Sequence, residues 1–188
     1  MTHDVNIGTG RSSGMFYFAN KGTALPSSLT NLSLSAWTEV GNISEDGMEL
    51  ALDRSKESIK NWANKIVRVI LTDHSEKATG ALIDTTEEAM TALFGADAVS
   101  VSAATASHGK VVTVNLSESE LPEEKAYLFI VKDGDDMIAF GCKDGQISSA
   151  DNISFTPGDA IKWPFEIEAM GEGMVLIKDN GQTTGSSH

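Results

Sequence analysis

Cysteine is nearly absent. Cys142 stands alone among 188 residues, so no internal disulfide can form, and a chain made in a reducing cytoplasm fits best. Positive charge is also short: 14 Lys and Arg face 27 Asp and Glu, a net charge of −13. A protein that grips nucleic acid by its phosphates needs a basic surface, and this one repels them. The same deficit argues against anionic membranes. Long apolar runs are missing. The longest, Ala126 to Val131, falls far below the ~20 residues that span a bilayer. The N-terminus, Met1-Thr2-His3-Asp4, has no basic region followed by an apolar one, so no signal peptide is expected.

What is present suits one globular domain. A chain of this length buries roughly 70% of the surface that its unfolded state exposes. Acidity is uneven: residues 1–114 hold 13 acids and 9 bases, residues 115–188 hold 14 acids and 5 bases. Either solubility or a surface meant to repel something negative explains it.

The pattern along the chain is mostly β. Residues 1–35 contain Gly8-Thr9-Gly10-Arg11-Ser12-Ser13-Gly14, then a Ser-, Thr- and Asn-rich stretch, and read as a flexible N-terminal arm. Residues 36–179 read as one β domain, and 180–188 as a disordered tail. Ala36–Gly41 is a short strand. Met48–Asp53 alternates with period two. Arg54–Asn61 is polar and reads as loop. Ile66–Thr72 and Thr79–Thr85 read as strands paired through a turn at Asp73–Ala78. Val99–Val101, Val112–Leu116, Ala126–Lys132 and Met137–Cys142 follow, the last two around an Asp-Gly hairpin loop. Ile161–Ala169 is the cleanest amphipathic strand, with Pro164 placing it at an edge or bulge. Met174–Lys178 is the last. One helix is signalled: Thr85 with Glu88 forms a capping box, Ala89, Met90, Leu93 and Phe94 share a face, and Gly95 caps the end. Many short strands with Gly and Asp turns argue for a β-sandwich or barrel.

Residue chemistry points to no enzyme. His3, His74, His108 and His188 lie far apart with no ligand spacing, so no metal and no cofactor is expected. Asp133-Gly134-Asp135-Asp136 fails the calcium-loop pattern, because Met137 and Ile138 fall at its fifth and sixth positions. No Gly-x-Ser-x-Gly elbow occurs. Cys142 lies in an apolar strand, where cysteine acts as a small hydrophobe. Glu166 and Glu168 share a strand face and could do acid–base work, but a solvated face explains them better.

From Gly41 to Gly95 the text is familiar. Val40-Gly41-Asn42-Ile43-Ser44-Glu45-Asp46-Gly47-Met48-Glu49 is followed by Ser58-Ile59-Lys60-Asn61-Trp62, by Val67-Arg68 and Thr72-Asp73, and by Thr85-Thr86-Glu87-Glu88-Ala89-Met90-Thr91-Ala92-Leu93-Phe94-Gly95. The order and spacing resemble the major tail tube proteins of long, non-contractile-tailed bacteriophages, most strongly over residues 36–100.

That resemblance implies a two-sheet β-sandwich or barrel with one short flanking helix. It implies hexameric rings stacked into a tube, with a tape-measure protein in the lumen, tail terminator and tail-tip or distal tail proteins at the ends, and DNA passing through without specific binding. The chain would be a virion tail component assembled in the host bacterial cytoplasm, with no membrane partner. Residues Asn42–Lys60 match the long loop that reaches another ring or subunit. Within it, Ile43 and Met48 are expected as apolar anchors, and Glu45, Asp46, Arg54 and Lys56 as charge partners. The helix, with Thr86, Glu87, Met90 and Phe94, is expected at an interface or sheet edge. Glu166 and Glu168 are candidate lumen-facing acids. By the same resemblance the chain leaves no room for the immunoglobulin-like extra domain of some members. Alternatives are a tube protein of a contractile tail or secretion-like system, and a monomeric small-ligand-binding β-barrel. The 7 Phe, 3 Trp and 2 Tyr are few for the latter.

Overall fold

A computed structural model describes residues 9–10, 16–29, 32–117, 121–133, 136–149, 152–153 and 155–179. Among the described residues the fold is mainly β, with two sheets and one short helix, consistent with the expected sandwich. The strands are β1 (Thr9–Gly10), β2 (Phe16–Asn20), β3 (Thr38–Gly41), β4 (Ile43–Lys60), β5 (Ile66–Leu82), β6 (Val99–Ser102), β7 (Val111–Val114), β8 (Lys125–Asp133), β9 (Asp136–Ser149), β10 (Trp163–Ala169) and β11 (Val175–Asp179). The helix α1 (Glu87–Phe94) lies between β5 and β6.

The main sheet runs β3-β2-β8-β9-β10-β5-β4, with β1 added to β8 and β11 to β9. Its outermost strands β3 and β4 are adjacent in sequence, joined by Asn42 alone. A flat sheet of that order would hold them roughly 29 Å apart at ~4.8 Å per step. The link between them can span only about 7 Å. The sheet is therefore rolled until the end of β3 lies beside the start of β4, with no ladder between these two strands among the described residues. The aromatic core shows the same curvature. Phe16 of β2 and Phe165 of β10 have two strands between them, yet their rings stack at 5.2 Å. Phe129 of β8 stacks on Phe16 at 4.4 Å and on Phe140 of β9 at 4.9 Å.

Alternation decides which side of each strand faces this core. On β10, Phe165 and Ile167 are fully buried while Glu166 and Glu168 point away. The helix and the β6–β7 hairpin cover the core from one end: Ala89, Met90 and Leu93 are buried, and Val99 and Val114 pack beside them. The β2-β8-β9 region is covered on its other face by Leu25, Leu29, Leu32, Leu34 and Trp37. Ala126–Ile130 is therefore buried on both faces.

Several sequence expectations need correction. Phe16–Asn20 is an interior strand between β3 and β8, and the leucines after it form a packed cover, so residues 16–29 and 32–35 belong to the domain and not to an arm. Residues 180–188, read as a disordered tail, lie outside the described residues. Residues 54–60 are strand, and Asp73–Ala78 is the middle of β5 with no turn. The helix cap is Thr86, one residue later than expected: its Oγ1 accepts from the Ala89 N–H at 3.1 Å. Thr85 instead accepts from Trp163 Nε1 at 3.0 Å. Pro164 sits in an interior strand, but opposite β5 only, since β9 begins pairing at Phe165.

Candidate assembly surfaces

β4 and β5 form one long antiparallel hairpin, paired from Ile43↔Leu82 to Lys60↔Ile66. Its base is core: Ile43 and Leu82 are buried, and Met48 and Leu50 pack against the same cluster. Beyond Ala51 the hairpin leaves the body. Residues 52–74 are exposed except for half-buried Ile70. About nine residues per arm at ~3.3 Å each give a projection of roughly 30 Å.

This projection carries Leu52, Ile59, Trp62, Ile66, Val67, Val69 and Leu71, all exposed. Alternation along β5 sets Val67, Val69 and Leu71 on one face and Ile66 on the other, so both faces of the hairpin expose apolar side chains, a feature of contact sites. The β-branched run from Ile66 to Ile70 favours strand. The closing turn is well built. Asn61 Oδ1 accepts from the N–H groups of Ala63 and Lys65, both at 3.0 Å, and the Asn61 N–H donates to the Lys65 carbonyl at 2.9 Å. Asn64 takes the left-handed φ of 57°, which Asn tolerates. Trp62 is thus displayed, fully exposed, at the tip.

The expected loop residues divide into two groups. Ile43 is buried and Met48 half-buried in their own subunit, so neither is a free anchor. Asp46 is held by Lys162, whose hydrogen bond and charge pull its carboxyl below the usual range. Glu45, Arg54 and Lys56 are exposed. The helix residues are mostly committed inward. Thr86 is the cap, Met90 is buried, and Phe94 meets Trp163 edge-on at 6.2 Å. Glu87 pairs with Lys110 at 2.5 Å. Glu166 and Glu168 share the outward face of β10, as expected, with Lys77 of β5 between them at 2.8 and 4.0 Å.

Charge is segregated in a way the sequence reading missed. Residues 54–72 hold five bases, Arg54, Lys56, Lys60, Lys65 and Arg68, against one acid, Glu57. Among the described residues none of these five makes an ion pair. By contrast Lys21, Lys77, Lys110, Lys125, Lys143 and Lys162 of the body are each paired with a carboxylate. A windowed charge count would have found this. Trp62 and the apolar row were legible as residues but not as surface, because an apolar strand normally implies burial.

Among the described residues no helix is long and apolar enough to cross a membrane, and no group of metal-ligating side chains gathers.

A projecting contact arm on a rolled β body defines a structural subunit, one whose chemistry lies in its surfaces. The sequence matches the family described as Phage tail tube protein over residues 7–177, and the chain belongs to that family. It is a structural protein of the phage tail, not an enzyme. No individual curated protein matches it.

Proposed function

We propose that the chain builds a tail tube of stacked hexameric rings, in which the β4–β5 hairpin of each subunit lies across a neighbour. The observation that carries this reading is the ~30 Å hairpin, exposed on both faces and rich in apolar side chains. Contact between subunits would bury that surface, and joining of sheet edges would satisfy open strands. Arg54 and Lys56 would act within this contact, with Glu45 at its base. The helix would contribute through Glu87 and through its C-terminal end, where Phe94 is only half-buried, while Met90 faces the core.

The acidic excess then suits a lumen along which DNA slides without gaining a phosphate partner. Glu166 and Glu168 are candidates for that wall. A tape-measure protein during assembly, terminator and tail-tip proteins at the ends, and assembly in the host cytoplasm complete the proposal.

Negative-stain electron microscopy of concentrated protein over a range of salt tests it. At low salt the like charge of the subunits reaches far, whereas at ~0.15 M it is screened beyond about 8 Å. Rings or hollow tubes are expected at moderate and high salt. Monodisperse monomer at every salt and concentration overturns the reading.

A further inference from the structure

The most basic stretch of the chain and its most exposed aromatic ring share one turn. Trp62 stands at the hairpin tip with Lys60, Lys65 and Arg68 close by in sequence, and the turn that presents it is fixed by Asn61. An indole left in water on a well-ordered turn is a costly arrangement for a free monomer, because such a ring buries 150–250 Å² when it finds a pocket.

The body offers a complementary feature. A cavity of about 390 Å³ opens beside the C-terminal end of α1. Phe18, Phe94, Leu121 and Pro122 give it apolar walls; Asp97 and Glu123 also line it, Glu123 paired with the lining Lys125 at 3.1 Å. Its size falls within the ~300–1,000 Å³ of clefts that hold small ligands. α1 has no basic residue in its last turn, so the partial negative charge of that helix end is uncompensated within the helix. Among the described residues Asp97 makes no ion pair, so Asp97 and the helix end together leave negative charge beside the apolar walls, and the hairpin tip offers cations around an apolar plug.

We propose that Trp62 of one subunit inserts into this cavity of a second copy of the chain, with Lys60, Lys65 and Arg68 set against Asp97, Glu123 and the end of α1. This rests on the tube reading above and supplies its contact. Tip and cavity are different surfaces, so the contact is head-to-tail, the kind that closes rings or extends filaments. Trp62 is its anchor, in line with the enrichment of Trp and Arg at interface hot spots.

The test is assembly of the full chain, followed by light scattering and electron microscopy. Trp62→Ala leaves a folded monomer, since the ring touches nothing it would destabilise, and raises the critical concentration about 30-fold. Lys65→Glu with Arg68→Glu blocks assembly, and so does Asp97→Lys with Glu123→Lys. Combining all four in one chain, or mixing the two double variants, restores it. As a direct readout that keeps the indole, Ala63→Cys and Leu121→Cys proteins mixed and oxidised form an intermolecular disulfide; buried Cys142 does not compete. Tubes from Trp62→Ala at the wild-type concentration overturn the docking and leave the tube reading standing, with the tip serving another partner. Charge variants that fail to rescue each other also overturn it, as does assembled material in which the Ala63→Cys and Leu121→Cys chains form no disulfide-linked dimer. If wild-type protein never assembles, the tube reading itself fails and the docking falls with it.

Discussion

Asp84 accepts two hydrogen bonds from Asn42, from its backbone N–H at 2.6 Å and from Nδ2 at 2.9 Å. Asn42 is the single residue that joins the two edges of the rolled sheet. Gly41 beside it has φ 138°, and a Cβ there would lie 2.5 Å from Asp84 Oδ2. The carboxylate thus occupies the space that only glycine leaves.

Asp84→Ala removes the oxygen that accepts both hydrogen bonds, at a half-buried position, and is expected to cost about 1–3 kcal/mol. For a domain of this size that is several degrees of melting temperature, at ~2–4 °C per kcal/mol. Gly41→Ala is expected to be worse, because it adds a clash and a disfavoured backbone. In the Asp84→Ala background the clash is relieved and the backbone strain remains, so the double variant should be more stable than the sum of the two single losses. Thermal unfolding followed by circular dichroism measures all three, and strict additivity would separate Asp84 from the seam.

The Asp46–Lys162 pair gives a pH prediction. Lys162 lowers the Asp46 pKa, chiefly through their hydrogen bond and then their charges. A depressed folded-state pKa means that the pair's contribution is present above the ordinary carboxylate value and is lost as pH falls through the lower, folded one. Lys162→Met should therefore raise the Asp46 titration midpoint, seen by carboxyl NMR, while the melting temperature at pH 7 stays close to wild type. A large stability loss would mean that the pair holds the hairpin base in place.

The hairpin can be removed without touching the core. Asp53 lies opposite Ser75, so replacing residues 54–74 by Asn-Gly closes a two-residue hairpin at that register. The shortened chain should keep its β spectrum and cooperative melting and form no tubes. Deleting Asn42–Asp53 instead removes Ile43, Met48 and Leu50 from the core cluster and should prevent folding. Tubes from the shortened chain would take assembly away from the hairpin.

How far the sequence could be read follows from the same hairpin. Where one face is buried, period-two alternation is enforced, and β10 was readable from Trp163 to Ala169 for that reason. Where neither face is buried, nothing enforces it. Arg54–Lys60 therefore read as loop; Asp73–Ala78, where burial of β5 only begins and Ser75-Glu76-Lys77 is an unbroken polar run, read as a turn, although both continue the ladder. Local signals failed where tertiary partners decided: Thr85 and Thr86 are equal candidates for a cap until Trp163 engages Thr85. Lys143-Asp144-Gly145 carries a turn signature yet lies within β9, where pairing with β8 shifts register. The roll of the sheet was legible only as a class, because it depends on which strands end as neighbours.

The outward face of β10 bears on the lumen. Lys77 pairs with Glu166 at 2.8 Å and reaches Glu168 at 4.0 Å, so this patch is less negative than two free carboxylates would be. Its orientation in a tube can be read by labelling. Cys142 is fully buried, and burial pushes its thiol up to about 11, so it should stay unmodified by maleimides near neutral pH until the chain unfolds. A Glu166→Cys protein then carries one reactive thiol. In monomer it should react with a small maleimide and with a bulky polymer-linked one alike. In assembled tubes a lumen position admits the small reagent and excludes the bulky one, whereas an outer position admits both. Equal reaction with both reagents in tubes would remove Glu166 and, by their shared face, Glu168 from the lumen wall. The acidic lining would then have to come from other strands.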